Sequence, residues 1–299
     1  MTSAQAPALP AQQAPAPQGA PGWFRLLARS SSSLSPRLAA LWLDRLFTSP
    51  TRRPVKQTEQ AWMNAAVRSS VLFRPGMELP VYSWGAGPTV LLVHGMSGRA
   101  SQLSVLAQPL VAAGFKVVAF DAPAHGEAAG TRTLVPEIAL ALLAVAQGLG
   151  PLAAVVAHSV GSAATTIALS QGLQSERVVF LAPPDNLRAH LDAVARTLGF
   201  SPEVVERVQQ RIEARYSLPF DQARGSYLAR SLNTPALFLH DRNDRVVPLT
   251  EAQRLQQAWP GAQLIITKGL GHNRILGDAL VIRQMLEFLT GAPALSTAA

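Results

Sequence analysis

The sequence predicts an α/β protein with a mostly parallel central sheet, helices on both faces and a helical cap insertion, and three observations carry that reading. From Pro88 onward, short β-rich apolar runs alternate with helical patterns, the signature of βαβ units. One interval breaks this rhythm: residues 185–232 contain no strand pattern, whereas ordinary connections run to about 2–6 residues. Polar clusters stand where the strands end, and ligands of open α/β sheets bind outside those carboxyl ends.

The elements follow in order. Residues 1–22 are rich in Ala, Pro and Gln with almost no large apolar side chains, so a disordered tail is expected. The tail lacks the basic start and apolar run of a secretory signal. Residues 23–76 form a basic arm and linker. Arg25, Arg29, Arg37 and Arg45 alternate with Trp23, Phe24, Leu26, Leu27, Leu38, Leu41, Trp42, Leu46 and Phe47 at helical spacing, which predicts one or two short amphipathic helices. Such helices either dock on the body of the protein or lie on an anionic membrane surface through residues 23–53.

An edge strand is expected within Glu78–Trp84. The core then spans residues 77–184 and 233–290, with strands at Thr89–Val93, Lys116–Phe120, Ala153–Ala157, Val178–Leu181, Ala236–His240 and Gln263–Thr267. The cap, 185–232, carries Leu187, Leu191, Val194, Leu198, Val204, Val205, Val208 and Ile212 at helix period, an apolar face able to cover what lies beneath. Residues 291–299 are a C-terminal tail. The longest apolar stretch, 138–157, is interrupted by Gln147 and Gly150-Pro151, which reads as buried helix then buried strand and not a membrane span.

Composition excludes several functions. There are no cysteines, so no disulfide framework, thiol nucleophile or thiolate metal site exists. The net charge of +8 sits almost wholly ahead of residue 77: residues 1–76 hold nine Arg/Lys and two acids, the remainder seventeen and sixteen. No compact basic motif with interleaved aromatics appears, so no nucleic-acid partner is expected. No histidine pair shows metal-ligand spacing with a carboxylate, and no dinucleotide or phosphate loop is visible; no metal and no cofactor are expected.

The strand ending Ala157-His158-Ser159-Val160-Gly161 runs directly into a helix of small residues. This is the pattern of a nucleophile elbow, where close helix–strand packing demands small side chains two positions either side of the serine. Read alone, Ser159 could equally be a helix N-cap. Three further strand ends carry His94-Gly95-Met96-Ser97-Gly98, Asp121 to Gly126, and His240 to Pro248 with Asp244. His272 follows the last strand in Gly269-Leu270-Gly271-His272-Asn273.

Together, and in the order Ser, Asp, His, these motifs resemble the α/β-hydrolase superfamily, from about Leu79 to Thr290. Ala157 and Asp241 stand where that family more often has glycine. The resemblance implies the α/β-hydrolase fold and a serine hydrolase. Ser159 would be the nucleophile, His272 the base and Asp244 the acid orienting it, with Asp241 and Asp185 as rival acids. The Met96 and Val160 amides would form the oxyanion hole. Ser97 and His158 are candidates for substrate contact; His94, His125 and His158 also read as loop-orienting residues, His190 as a cap-surface residue and His240 as a strand-end residue.

The expected substrate is a small-molecule ester with a small to medium, largely apolar acyl group. Alternatives are thioesterase, amidase or cofactor-free peroxidase activity on the same residues, or a non-catalytic binding or membrane-peripheral module. The expected location is cytoplasmic, with the arm as the one route to a membrane surface.

Overall fold

The computed structural model describes residues 20–291; the tail predicted over 1–22 lies mostly outside the described residues, as does most of 291–299. The arm supplies α1 (Gly22–Leu34), α2 (Pro36–Thr48) and α3 (Gln57–Ala65). The core follows with β1 (Val67–Arg74), β2 (Met77–Trp84), β3 (Thr89–Val93), α4 (Ser104–Ala112), β4 (Lys116–Phe120), α5 (Val135–Gln147), β5 (Leu152–His158), α6 (Val160–Ser170) and β6 (Val178–Leu181). The cap contains α7 (Leu187–Leu198), α8 (Pro202–Tyr216) and the single turn α9 (Gly225–Leu228). The chain ends with β7 (Ala236–Asp241), α10 (Leu249–Ala258), β8 (Gln263–Thr267), the single turn α11 (Gly271–Arg274) and α12 (Ala279–Thr290).

The eight strands lie in the order β1-β2-β4-β3-β5-β6-β7-β8. β1–β2 and β2–β4 are antiparallel and the other pairings are parallel. Central strands are apolar throughout because both faces are covered. On β3, Leu91 and Val93 enter one core with α5 and α6, while Val90 and Leu92 enter the opposite core with α4 and α12.

The sheet begins earlier than the sequence reading has it. β1, read as linker, pairs with β2 along its length. Its burial is slight, mostly exposed with Val71 and Phe73 half-buried, because an edge strand packed on one side needs few apolar residues. α3 also belongs to the body: Met63 is buried in the core of the α4 face.

What the cap's apolar face covers is the arm. Leu191, Ala195, Val204, Val205, Val208 and Ile212 pack against Ala28, Ala39, Ala40, Leu43 and Phe47 of the arm, making a third core. Small residues on α1 and α2 let the helices approach closely. Gly199 ends α7 in the left-handed region, where a Cβ would sit 3.0 Å from the Arg25 carbonyl. Asp44, 1% exposed, is held at 2.7 Å by both Arg215 of α8 and Arg132 of the core. Burial alone would raise its carboxyl pKa; the two guanidiniums outweigh this and hold it below the ordinary value.

Asp44→Ala should therefore lower stability by about 2 kcal/mol. That is less than the roughly 3–5 for a fully buried pair, because both arginines keep about a third of their exposure and can rehydrate. Urea unfolding measures it; a loss under about 0.5 kcal/mol would show that the arm is not fastened through Asp44.

Candidate active site

Every candidate residue sits at the carboxyl edge of the sheet, near the β3/β5 boundary where the order of connections reverses. β5 ends at His158, and Ser159 turns the chain into α6 with φ 52° and ψ −124°. The turn is so tight that only glycine fits at 161: a Cβ there would lie 2.6 Å from the Val93 carbonyl and 2.7 Å from that of His94. Ala157 is tolerated where glycine is more usual, because it is still inside regular β5, paired with Val93 and Phe180, and its methyl joins the core.

Ser159, His272 and Asp244 come together in one hydrogen-bonded chain. His272 Nε2 lies 2.9 Å from Ser159 Oγ, and its Nδ1 lies 2.7 Å from Asp244 Oδ2. With Asp244 ionised, Nδ1–H donates to the carboxylate and bare Nε2 accepts from the serine hydroxyl. The other Asp244 oxygen accepts from the Val246 and Val247 amides at 2.8 and 2.9 Å. Burial would raise the Asp244 pKa, but His272 and the two amides more than offset it and hold the carboxyl below its ordinary value.

The rival acids are occupied elsewhere. Asp241 accepts from Thr267 Oγ1 at 2.8 Å and from the Asn243 and Leu270 amides, and Asn243 Oδ1 takes the Gly269 amide at 3.1 Å. Together they fix the loop that presents His272. Asp185 accepts from the Ser226 amide and faces Arg254, while its carbonyl takes the Gly225 amide, so it ties the two ends of the cap together.

The loop after β3 places Met96 opposite the elbow. The Val160 amide is the first of α6, with no carbonyl in its own helix to bond, and neither it nor the Met96 amide is engaged by another group among the described residues. The Met96 loop is braced from below: the Ser97 amide donates to His125 Nε2 at 2.9 Å, and the Ala122 amide donates to His94 Nε2 at 3.1 Å. It is also braced by the arm's linker. The Thr51 amide donates to Ser97 Oγ at 3.0 Å, and Arg52 spans the carbonyls of Gly126, Ala128 and Gly130 at 2.6–2.9 Å.

A cleft of about 970 Å³ opens over Ser159, lined by Met96, Ser97, Val135, His158, Val160, Ile167, Leu187 and Leu276 among others. His190 corrects the sequence reading: it lines this cleft, its ring 5.9 Å from Phe47 of the arm, and is not on the cap's outer surface. Leu187 and His190 begin α7, so the cap roofs the cleft by its first turn. Trp62, on α3, also reaches the cleft; no local motif marks it.

Burial holds three histidines neutral: His94 is lowered to about 4, His125 to about 3 and His158 to about 3, each mainly by desolvation. His158 lies beside His272, its Nε2 2.9 Å from the His272 carbonyl. These folded values lie below the ordinary 6.5. The unfolded chain therefore binds more protons between about pH 6.5 and 4, and stability is lost as pH falls through that window. Near pH 5.5 the loss is about 1.4 kcal/mol per histidine. Thermal melts across the window should show this slope, and His125→Asn should reduce it by about a fifth to a third, since burial lowers His190 and His240 as well; an unchanged slope would mean His125 charges freely when folded.

The comparisons agree with this architecture. The model of the alpha/beta hydrolase family matches residues 90–283. A chain named as a carbamate hydrolase, RutD, of Pseudomonas savastanoi pv. phaseolicola is 30% identical over 118 residues, 38% of this chain and 43% of that one. The match thus spans less than half of that relative. The Pyrococcus furiosus esterase Pf2001 superposes with TM-score 0.64 at 20% identity, covering 82% of this chain and 97% of that one. A bacterial membrane phospholipase A gives 0.61 at 16% identity, over 90% and 97%. With the family model spanning most of the sheet and four strand ends carrying that family's motifs, the chain belongs to the alpha/beta hydrolase family.

Proposed function

We propose that this protein is a serine ester hydrolase that cleaves a small to medium, largely apolar acyl ester through an acyl-enzyme. The observation that carries the reading is the Ser159–His272–Asp244 chain, hydrogen-bonded at both links and open to a cleft with Val135, Val160, Ile167 and Leu187 in its lining.

Serine is a weak nucleophile at its own pKa and needs a base within hydrogen-bond reach. As Ser159 Oγ attacks the acyl carbon, His272 Nε2 takes its proton, and the resulting imidazolium faces ionised Asp244. The carbonyl oxygen becomes an oxyanion between the Met96 and Val160 amides, whose hydrogens have no competing acceptor among the described residues. Collapse breaks the ester C–O bond, and the departing alkoxide takes the proton from His272. Water then loses a proton to His272 and attacks the acyl-enzyme; collapse returns the proton to Ser159 and frees the acid.

The acyl preference follows from the walls. Val135, Val160, Ile167 and Leu187 offer dispersion contact, while the charged residues of the cleft lining include Arg53, Lys56, Glu59, Asp185 and Arg274. Ser97 and His158 supply polar edges; neutral His158 adds no cation to attract a carboxylate. The named relatives act on several kinds of acyl compound, and similarity in fold does not choose among them.

A fluorophosphonate probe should label the wild type, and Ser159→Ala should abolish both labelling and p-nitrophenyl butyrate hydrolysis, lowering kcat by at least about 10⁴-fold. A wild type that neither labels nor turns over would sink the reading. Asp244→Asn should cost about 10⁴ in kcat by leaving the imidazole in the wrong tautomer. Asp241→Asn should chiefly reduce stability, because its partners are the loop and not the base. Equal kinetic losses in the two variants would undo the assignment of the acid. Across an acyl-chain panel, preference for anionic acyl groups would contradict the apolar pocket.

A further inference from the structure

The arm docks on the cap through Ala28, Ala39, Ala40, Leu43 and Phe47, with Phe24 and Trp42 packed at the edge, and still leaves a second set of large apolar side chains exposed. On α1 the buried residues are Ala28 and Ser32, while Trp23 is 65%, Leu26 66% and Leu34 86% exposed. Positions 23, 26, 27, 30 and 34 share one face at helical spacing, opposite the face against the cap. On α2, Ala39, Ala40, Leu43 and Phe47 are inward, and Leu38 at 65% and Leu41 point outward with Arg45.

Its charge is of one sign. Arg25, Arg29, Arg37 and Arg45 are all exposed, and none forms an ion pair among the described residues. The only acid on α1 and α2 is Asp44, buried against Arg132 and Arg215 on the opposite face. An outward surface of Trp and Leu, with Arg45 on it, exposed Arg29 and Arg37 to its sides and exposed Arg25 toward the cap beside Gly199, has the chemistry of a helix pair lying in an interface, apolar side in the acyl boundary and cations reaching headgroups. Among the described residues no helix is long and apolar enough to cross a membrane, so contact through this face would be peripheral.

We propose that the outward face of α1 and α2 is a docking surface for an anionic lipid bilayer. A second copy fits less well: a two-fold pairing would set these arginines against their own copies with no acid to separate them. A nucleic acid would leave Trp23 and the leucines unsatisfied. The arm is fastened to the cap, and its linker hydrogen-bonds to Ser97 beside the cleft, so docking would hold the cleft close to the bilayer. The inference is independent of the ester-hydrolase reading.

The full chain is mixed with vesicles of phosphatidylcholine alone or with phosphatidylglycerol and sedimented, while its mass in solution is measured without lipid. The bound fraction should rise at least about tenfold with phosphatidylglycerol and fall at high salt. L26E/L27E/L38E should abolish binding and R25Q/R29Q/R37Q reduce it about tenfold or more; all these positions are exposed, so thermal melts and fluorophosphonate labelling should not change. Absence of binding to the anionic vesicles, equal binding to both vesicle types, or binding unmoved by the leucine changes would overturn the proposal. A wild-type dimer split by L26E/L27E/L38E, with no vesicle binding, would assign the face to a second copy.

Discussion

The site depends on one steric constraint, the close passage of the α6 start beneath the end of β3. With the Val93 carbonyl 2.6 Å and the His94 carbonyl 2.7 Å from where a Cβ at 161 would stand, α6 can approach only as glycine, and Ser159 is forced to positive φ. Strain is not confined to Ser159. Among the described residues five non-glycines have positive φ, and four of them, Ser97, Ala124, Ser159 and Ala182, lie in segments leaving the carboxyl ends of β3, β4, β5 and β6. Each such residue costs on the order of 1 kcal/mol or more. The sheet, buried on both faces, holds the strained turns in register.

Around that edge, polar groups act chiefly as fasteners. Asp241 and Asn243 hold the His272 loop, His94 and His125 hold the Met96 loop, and Asp185 closes the cap's neck. Neutral histidines suit this work because an imidazole both donates and accepts: His125 Nε2 takes the Ser97 amide while Nδ1 bonds the Pro123 carbonyl. A charged ring could not accept from the Ser97 amide. The same burial that makes these histidines useful makes the fold acid-sensitive, so precise loops and acid tolerance are opposed here.

Much of this was legible in the sequence, for definite physical reasons. Strands buried on both faces must be apolar runs, and a sharp strand-to-helix turn must place glycine near its serine, so β3 to β7 and the residues Ser159, Asp244 and His272 left local marks; β8, a half-exposed edge strand, was marked by Leu264, Ile265 and Ile266. Three features left none. β1 is an exposed edge strand whose alternation is broken by Arg68, Ser69 and Ser70, so it read as linker. The cap's apolar period showed that something covers it, but period alone cannot distinguish a sheet from an arm that lies far away in sequence. His190 lines the cleft with its ring 5.9 Å from Phe47, a neighbour far away in sequence that no local pattern reveals.

The arm's amphipathic pattern posed a choice between docking on the body and lying on a membrane, and the structure shows why one helix pair can carry both signals. Its hydrophobic residues divide by size: alanines, with Leu43 and Phe47, settle the cap contact, while Trp23 and the outer leucines are surplus to it. Docking through small residues gains close approach but buries less area per residue. Asp44 and its two arginines add the directional hold that the small side chains lack. The linker then carries that hold onward, from α2 through Thr51 and Arg52 to the loops beneath Met96. What looks in sequence like a basic extension ahead of the α/β body is in the structure a strut between the cap and the Met96 loop.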